Sequence, residues 1–136
     1  MQINATKMLA VIFTSLVISG CVAPVKKTHN ALVGTWKITD IQGQKINTDK
    51  AMLFFSGDGR VSGNNGCNNI TAGYEPYLDH LNLTQLASTK MLCSEPANSE
   101  AQAFMQSVEQ VEHFLIEGNH LYLTDEQDEV LISLSK

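Results

Sequence analysis

The chain has 136 residues, of which 43% are hydrophobic and 17% charged, and carries a net charge of −5 at pH 7. That length supplies one ordinary core and leaves no room for a second domain with a linker, and the apolar share excludes intrinsic disorder and a multi-span membrane protein. With 9 Lys and Arg against 14 Asp and Glu, and no basic stripe, nucleic acid is excluded as a partner.

Residues 1–20 read as a secretory signal, with Lys7 ahead of the apolar run Met8–Ile18 and the small residues Ser19 and Gly20 before Cys21. The run is far shorter than the roughly 20 apolar residues that a membrane-spanning helix needs. Ile18-Ser19-Gly20-Cys21 resembles the bacterial lipobox. Small side chains fit a peptidase cleft, and the Cys21 thiol can form a thioether to diacylglycerol. Together with further acylation of the palmitate class, that chemistry implies a permanent membrane anchor at Cys21. Val22 stands where Asp would signal inner-membrane retention, so the expected location is the periplasmic face of the outer membrane. Val22 to Ala31 lacks apolar periodicity and contains Pro24, which reads as a flexible tether. The expected organisation is a lipoprotein signal over 1–20, a lipidated N-terminus and tether over 21–31, and one domain over 32–136.

Leu32 to Ile41 alternates as a half-buried strand with Trp36 and Ile38 inward, and Ala51 to Phe55 is a second strand. Asp58-Gly59 marks a hairpin that returns over Arg60 to Ser62. Gly63 to Asn69 is dense in residues that tolerate positive φ and reads as a loop, followed by a hairpin over Tyr74–Tyr77 and His80–Leu86. Ala101, Phe104, Met105, Val108 and Val111 form the apolar stripe of an amphipathic helix, with Ser94 as the expected N-cap and Glu95 and Pro96 in the first turn. Strands over 113–116, 120–124 and 130–134 complete the chain. The expected class is mainly β (α+β): about eight short antiparallel strands in a curved or barrel-like sheet, with one helix inserted.

Export places Cys67 and Cys93 in an oxidising compartment, where a structural disulfide is the default and free thiols, a redox pair or a metal site are the alternatives. Neither cysteine lies in C-x-x-C, and His29, His80, His113 and His120 show no ligand spacing, so no metal and no cofactor are expected. G-x-S-x-G, H-E-x-x-H and a Gly-rich phosphate loop are all missing, which leaves no residues to name as catalytic. The candidate contact surface is Asp58, Arg60, Asn64, Asn65 and Asn68. For the Asn cluster the favoured reading is that the amides bond the loop's own backbone, with a polar ligand or partner site as the alternative.

Four segments occur in one order: Leu32-Val33-Gly34-Thr35-Trp36, Asp58 to Gly63 (DGRVSG), Gly66-Cys67-Asn68, and Thr89 to Cys93 (TKMLC). Together they resemble the META domain of HslJ-type heat-shock lipoproteins of Gram-negative bacteria. The resemblance implies a compact curved sheet with one helix, a periplasmic location, and a link to envelope stress or novobiocin-type tolerance, without implying a reaction. The expected function is therefore noncatalytic, with a monomeric domain contacting an envelope protein. The alternative is binding of a lipid or small hydrophobic molecule in a calycin-like open barrel. The volume around Phe54, Leu81, Leu83, Phe104 and Leu121 discriminates the two, because a filled interior leaves only the outer surface.

Overall fold

The structure is a computed structural model that describes residues 26–136. The expected signal segment over 1–20 and Cys21 lie outside the described residues. Helix α1 (Lys26–Leu32) leads into strands β1 (Gly34–Ile41), β2 (Gln44–Lys45), β3 (Met52–Phe55), β4 (Arg60–Asn64), β5 (Asn69–Tyr77) and β6 (His80–Ser88). Helix α2 (Ala97–Val108) follows, and then β7 (His113–Glu117), β8 (His120–Thr124) and β9 (Val130–Ser135).

All pairings are antiparallel, and β1 pairs with β3 on one side and β9 on the other, which closes an eight-stranded barrel. The short β2 adds a hairpin arm to β1. Closure leaves free sheet edge only along the weakly joined β6 and β7 and on the short β2. The ladder from β3 to β6 is continuous, whereas β6 and β7 meet at one residue pair, His80 with His113. That seam is where the chain leaves the sheet to form α2.

Strand alternation sets the core. In β3, Leu53 and Phe55 point inward while Met52 and Phe54 face solvent. Gly63 in β4 lies directly against β3, where an added Cβ would stand 2.0 Å from the Met52 carbonyl oxygen. Only glycine permits that approach.

The interior is filled. Trp36, Phe55, Tyr74, Phe104 and Leu121 are each at most 1% exposed, and with Ile38, Ile70, Leu81, Ile132 and Leu134 they belong to one apolar cluster. A chamber wide enough for water would leave its walls accessible, and the walls here are not. Eight strands enclose a space that side chains can just fill. Helix α2 packs across β1 and β9, burying Ala101, Phe104 and Val108.

Several expectations are corrected. Residues 26–31, expected as tether, belong to α1, whose last residue Leu32 is fully buried instead of opening β1. The loop after β4 is shorter than expected, because β5 begins at Asn69 and buries Ile70, Ala72 and Tyr74 in alternation. Phe54 is 46% exposed and so does not report interior volume, while Leu83 is only half-buried. Ser94 does not cap α2: Pro96 holds the N-cap position, and the Glu95 carboxylate accepts the Ser99 N–H at 3.2 Å. The stripe ends at Val108, and Val111 is buried from the turn beyond it.

Candidate functional site

The β3–β4 turn is organised by Ser56. Its backbone N–H donates to the Arg60 carbonyl at 2.8 Å, while its hydroxyl donates to the Asp58 carboxylate and accepts the Arg60 N–H. The Ser56 hydrogen bond is the main reason Asp58 ionises below its ordinary carboxylate value. The Tyr74 hydroxyl donates to the Ser56 carbonyl at 2.6 Å, and burial pushes the Tyr74 phenol above its usual pKa. His29 of α1 stacks on the Tyr74 ring at 5.3 Å and donates through Nε2 to the Gly57 carbonyl at 3.2 Å. Turn chemistry thus accounts for Asp58, while Arg60 stays 82% exposed with its Nε 4.0 Å from Asp58.

At the other end of β4, the Asn residues are spent on the loop. Asn65 is buried at 1% exposure; its Oδ1 accepts the N–H groups of Cys67 and Asn68, and its Nδ2 donates to the Ala101 carbonyl of α2 at 3.4 Å. Asn64 Oδ1 accepts the Gly66 N–H, with Gly66 at φ +100°. Asn68 Oδ1 accepts from the Thr89 hydroxyl at 3.0 Å and the Met91 N–H at 2.6 Å. A disulfide joins Cys67 to Cys93 with Cα atoms 5.9 Å apart, so the loop is fixed to the segment that enters α2.

The expected contact surface is therefore not one surface. Asp58 lies in the turn before β4 and Arg60 at its first residue, whereas Asn64, Asn65 and Asn68 lie at or beyond its end. Asn65 in particular is a buried bracket between loop and helix, which corrects its placement among contact residues.

Around Arg60 the outer face of the barrel forms an open groove of about 540 Å³ lined by Phe54, Asp58, Arg60, Ser62, Thr71 and Gln85. Phe54 pairs with Ser62, and Ser62 with Thr71, so the three side chains share one face across adjacent strands. Pattern reasoning missed Phe54 because an apolar run without alternation does not say which residue faces out.

A second cluster lies at the β6–β7 seam. The imidazole rings of His80 and His113 are 4.2 Å apart between centroids, and Asp79 Oδ2 is 3.8 Å from His113 Nδ1. Ligand-type atoms of all three side chains fall within 4.8 Å of one another. No local spacing reveals this group, since His80 and His113 become neighbours only when the barrel closes across α2.

Solved structures share the fold. An NMR structure of a protein from Burkholderia xenovorans superposes with a TM-score of 0.64 at 16% identity, covering 90% of this chain and 97% of that one. A second NMR structure gives 0.61 at 18% identity, over 76% and 89%. A crystal structure of a DUF4847 family protein from Bacteroides vulgatus gives 0.58 at 17% identity, over 76% and 92%. At these identities the likeness concerns the fold alone. No curated protein matches the chain. The family model for the META domain matches residues 30–136, which covers the whole barrel and both its cysteines, and the chain belongs to the META domain family.

Proposed function

We propose that the protein is a noncatalytic lipoprotein, anchored through Cys21 to the periplasmic face of the outer membrane, that supports the cell envelope by contacting another envelope protein. The observation that carries this reading is the filled barrel: with core side chains occupying the interior, recognition falls to the outer surface. On that surface the Phe54–Arg60 groove combines an exposed aromatic ring with a guanidinium that makes no short hydrogen bond among the described residues, the residue types that dominate protein interfaces. The lipobox-like segment Ile18–Cys21 supports the anchor, and the resemblance to HslJ-type lipoproteins supports a role in stress or novobiocin-type tolerance.

A deletion strain complemented with variants tests this reading. Phe54→Ala and Arg60→Ala, at matched abundance and melting temperature, are expected to reduce heat and novobiocin tolerance in part, and the double variant to reduce it further. Full tolerance in the double variant removes the groove from the function. Complete loss from one polar substitution, together with turnover of an envelope substrate by the parent, overturns the noncatalytic reading. A lipid found bound to the purified protein by native mass spectrometry favours the alternative of a hydrophobic ligand.

A further inference from the structure

We infer that Asp79, His80 and His113 form a Zn²⁺ site that clasps the barrel at its β6–β7 seam. The backbone sets the geometry. Leu81 N–H donates to the Glu112 carbonyl at 2.9 Å and Phe114 N–H to the Asp79 carbonyl at 2.8 Å, so the two bonds flank His80 and His113. That pattern is a non-hydrogen-bonded antiparallel pair, the arrangement that brings facing side chains closest. Asp79, one residue before His80, adds a carboxylate from the β5–β6 turn.

The donor set suits the ion. Two imidazole nitrogens and one carboxylate oxygen match the borderline character of Zn²⁺, which accepts three protein ligands with a fourth position left to water or a partner atom. Tetrahedral ligation at about 2.0–2.2 Å requires ligand atoms roughly 3.3–3.5 Å apart. The present spread of up to 4.8 Å closes to that value by side-chain rotation, which the exposed Asp79 and His80 are free to make. His113 supplies the fixed member. Its Nδ1 is buried and has no hydrogen-bond partner among the described residues, although Asp79 Oδ2 lies 3.8 Å away. A buried ring nitrogen left in this state is costly, and a shared cation satisfies it. The location gives the ion a structural consequence, because β6 and β7 are otherwise joined at one residue pair.

The full chain in detergent, with the disulfide intact and Cys21→Ser to remove thiol competition, is titrated with Zn²⁺ by calorimetry. One ion per chain is expected, with a rise in melting temperature. His80→Gln and His113→Gln should each weaken binding by about 100-fold and Asp79→Asn by about 10-fold, while His120→Gln leaves it unchanged. The exposed His80 makes His80→Gln the decisive variant, since its metal-free melting temperature should equal that of the parent. Where His113→Gln lowers that temperature, Co²⁺ bound to the unmutated site replaces it: pseudocontact shifts should centre on residues 79, 80 and 113. Binding that persists in His80→Gln, shifts centred elsewhere, or no saturation by about 100 µM Zn²⁺ overturns the site.

Discussion

Asn65 shows how a polar residue in a loop becomes structural. Its Oδ1 holds two N–H groups of the β4–β5 turn, and its Nδ2 reaches the Ala101 carbonyl in α2, so one amide ties a turn to a helix 36 residues away. Removing the side chain leaves those groups without partners beside the buried Asn65 and Cys67 positions. Asn65→Ala is therefore expected to destabilise the domain by about 1–3 kcal/mol, measured by denaturant unfolding, whereas Asn69→Ala on the exposed face costs less than about 1 kcal/mol. Trp36 plays a comparable role at the opening of β1. The indole N–H donates to the Leu32 carbonyl at 2.7 Å, and the Lys136 ammonium sits 4.2 Å above the ring, so the last residue of α1 and the C-terminal residue of the chain meet on one side chain. The G-x-W segment thus joins both ends of the domain.

Elements differ in how openly the sequence announces them. The Asp58-Gly59 turn and the Phe104–Val108 stripe are local signals, and both elements appear where those signals stand. The N-terminal half of β5 is hidden because its outward residues, Asn69, Thr71 and Gly73, resemble a loop while Ile70, Ala72 and Tyr74 carry the buried alternation. Helix α1 is hidden for another reason: seven residues make too few turns for an apolar period to show. The start of α2 also depends on an interaction that composition does not rank. Glu95, not Ser94, serves the first turn, and hydrogen bonds from the Ser99 side chain and backbone N–H hold the carboxyl below its ordinary pKa. A lowered carboxylate pKa stabilises the fold above the unfolded value, and that contribution disappears as pH falls through the folded value. Glu95→Ala should accordingly lower the melting temperature at pH 7, with the gap from the parent narrowing below about pH 4. A gap that is constant with pH would assign the effect to helix propensity instead of charge.

At the scale of the whole molecule, closure and cross-linking decide what the domain can present. The disulfide joins residues 26 positions apart and pins the β4–β5 turn to the entrance of α2. On the loop-entropy account it stabilises the domain by roughly 3–4 kcal/mol, so Cys67→Ala with Cys93→Ala should lower unfolding free energy by about that amount without changing the fold seen by circular dichroism. The pair is legible in the even count of cysteines beyond Cys21 together with the expectation of export, whereas the seam cluster and the exposure of Phe54 are not, because both depend on which strands become neighbours. Attachment to the membrane is a separate matter. The net charge of −5 offers anionic lipid no attraction, and on the proposed reading the lipid on Cys21 supplies the attachment. Four residues separate Cys21 from the start of α1, a reach of at most about 18 Å when extended. Lipid on Cys21 would thus hold the barrel close to the membrane surface, where a partner in the same membrane meets it at high effective concentration. Metabolic labelling with a radioactive fatty acid is expected to mark the parent, which should also lack residues 1–20 by mass. Cys21→Ser should remain unlabelled and keep those residues. Equal labelling of the two proteins would place the lipid elsewhere or remove it from the account, and the membrane-proximal placement would go with it.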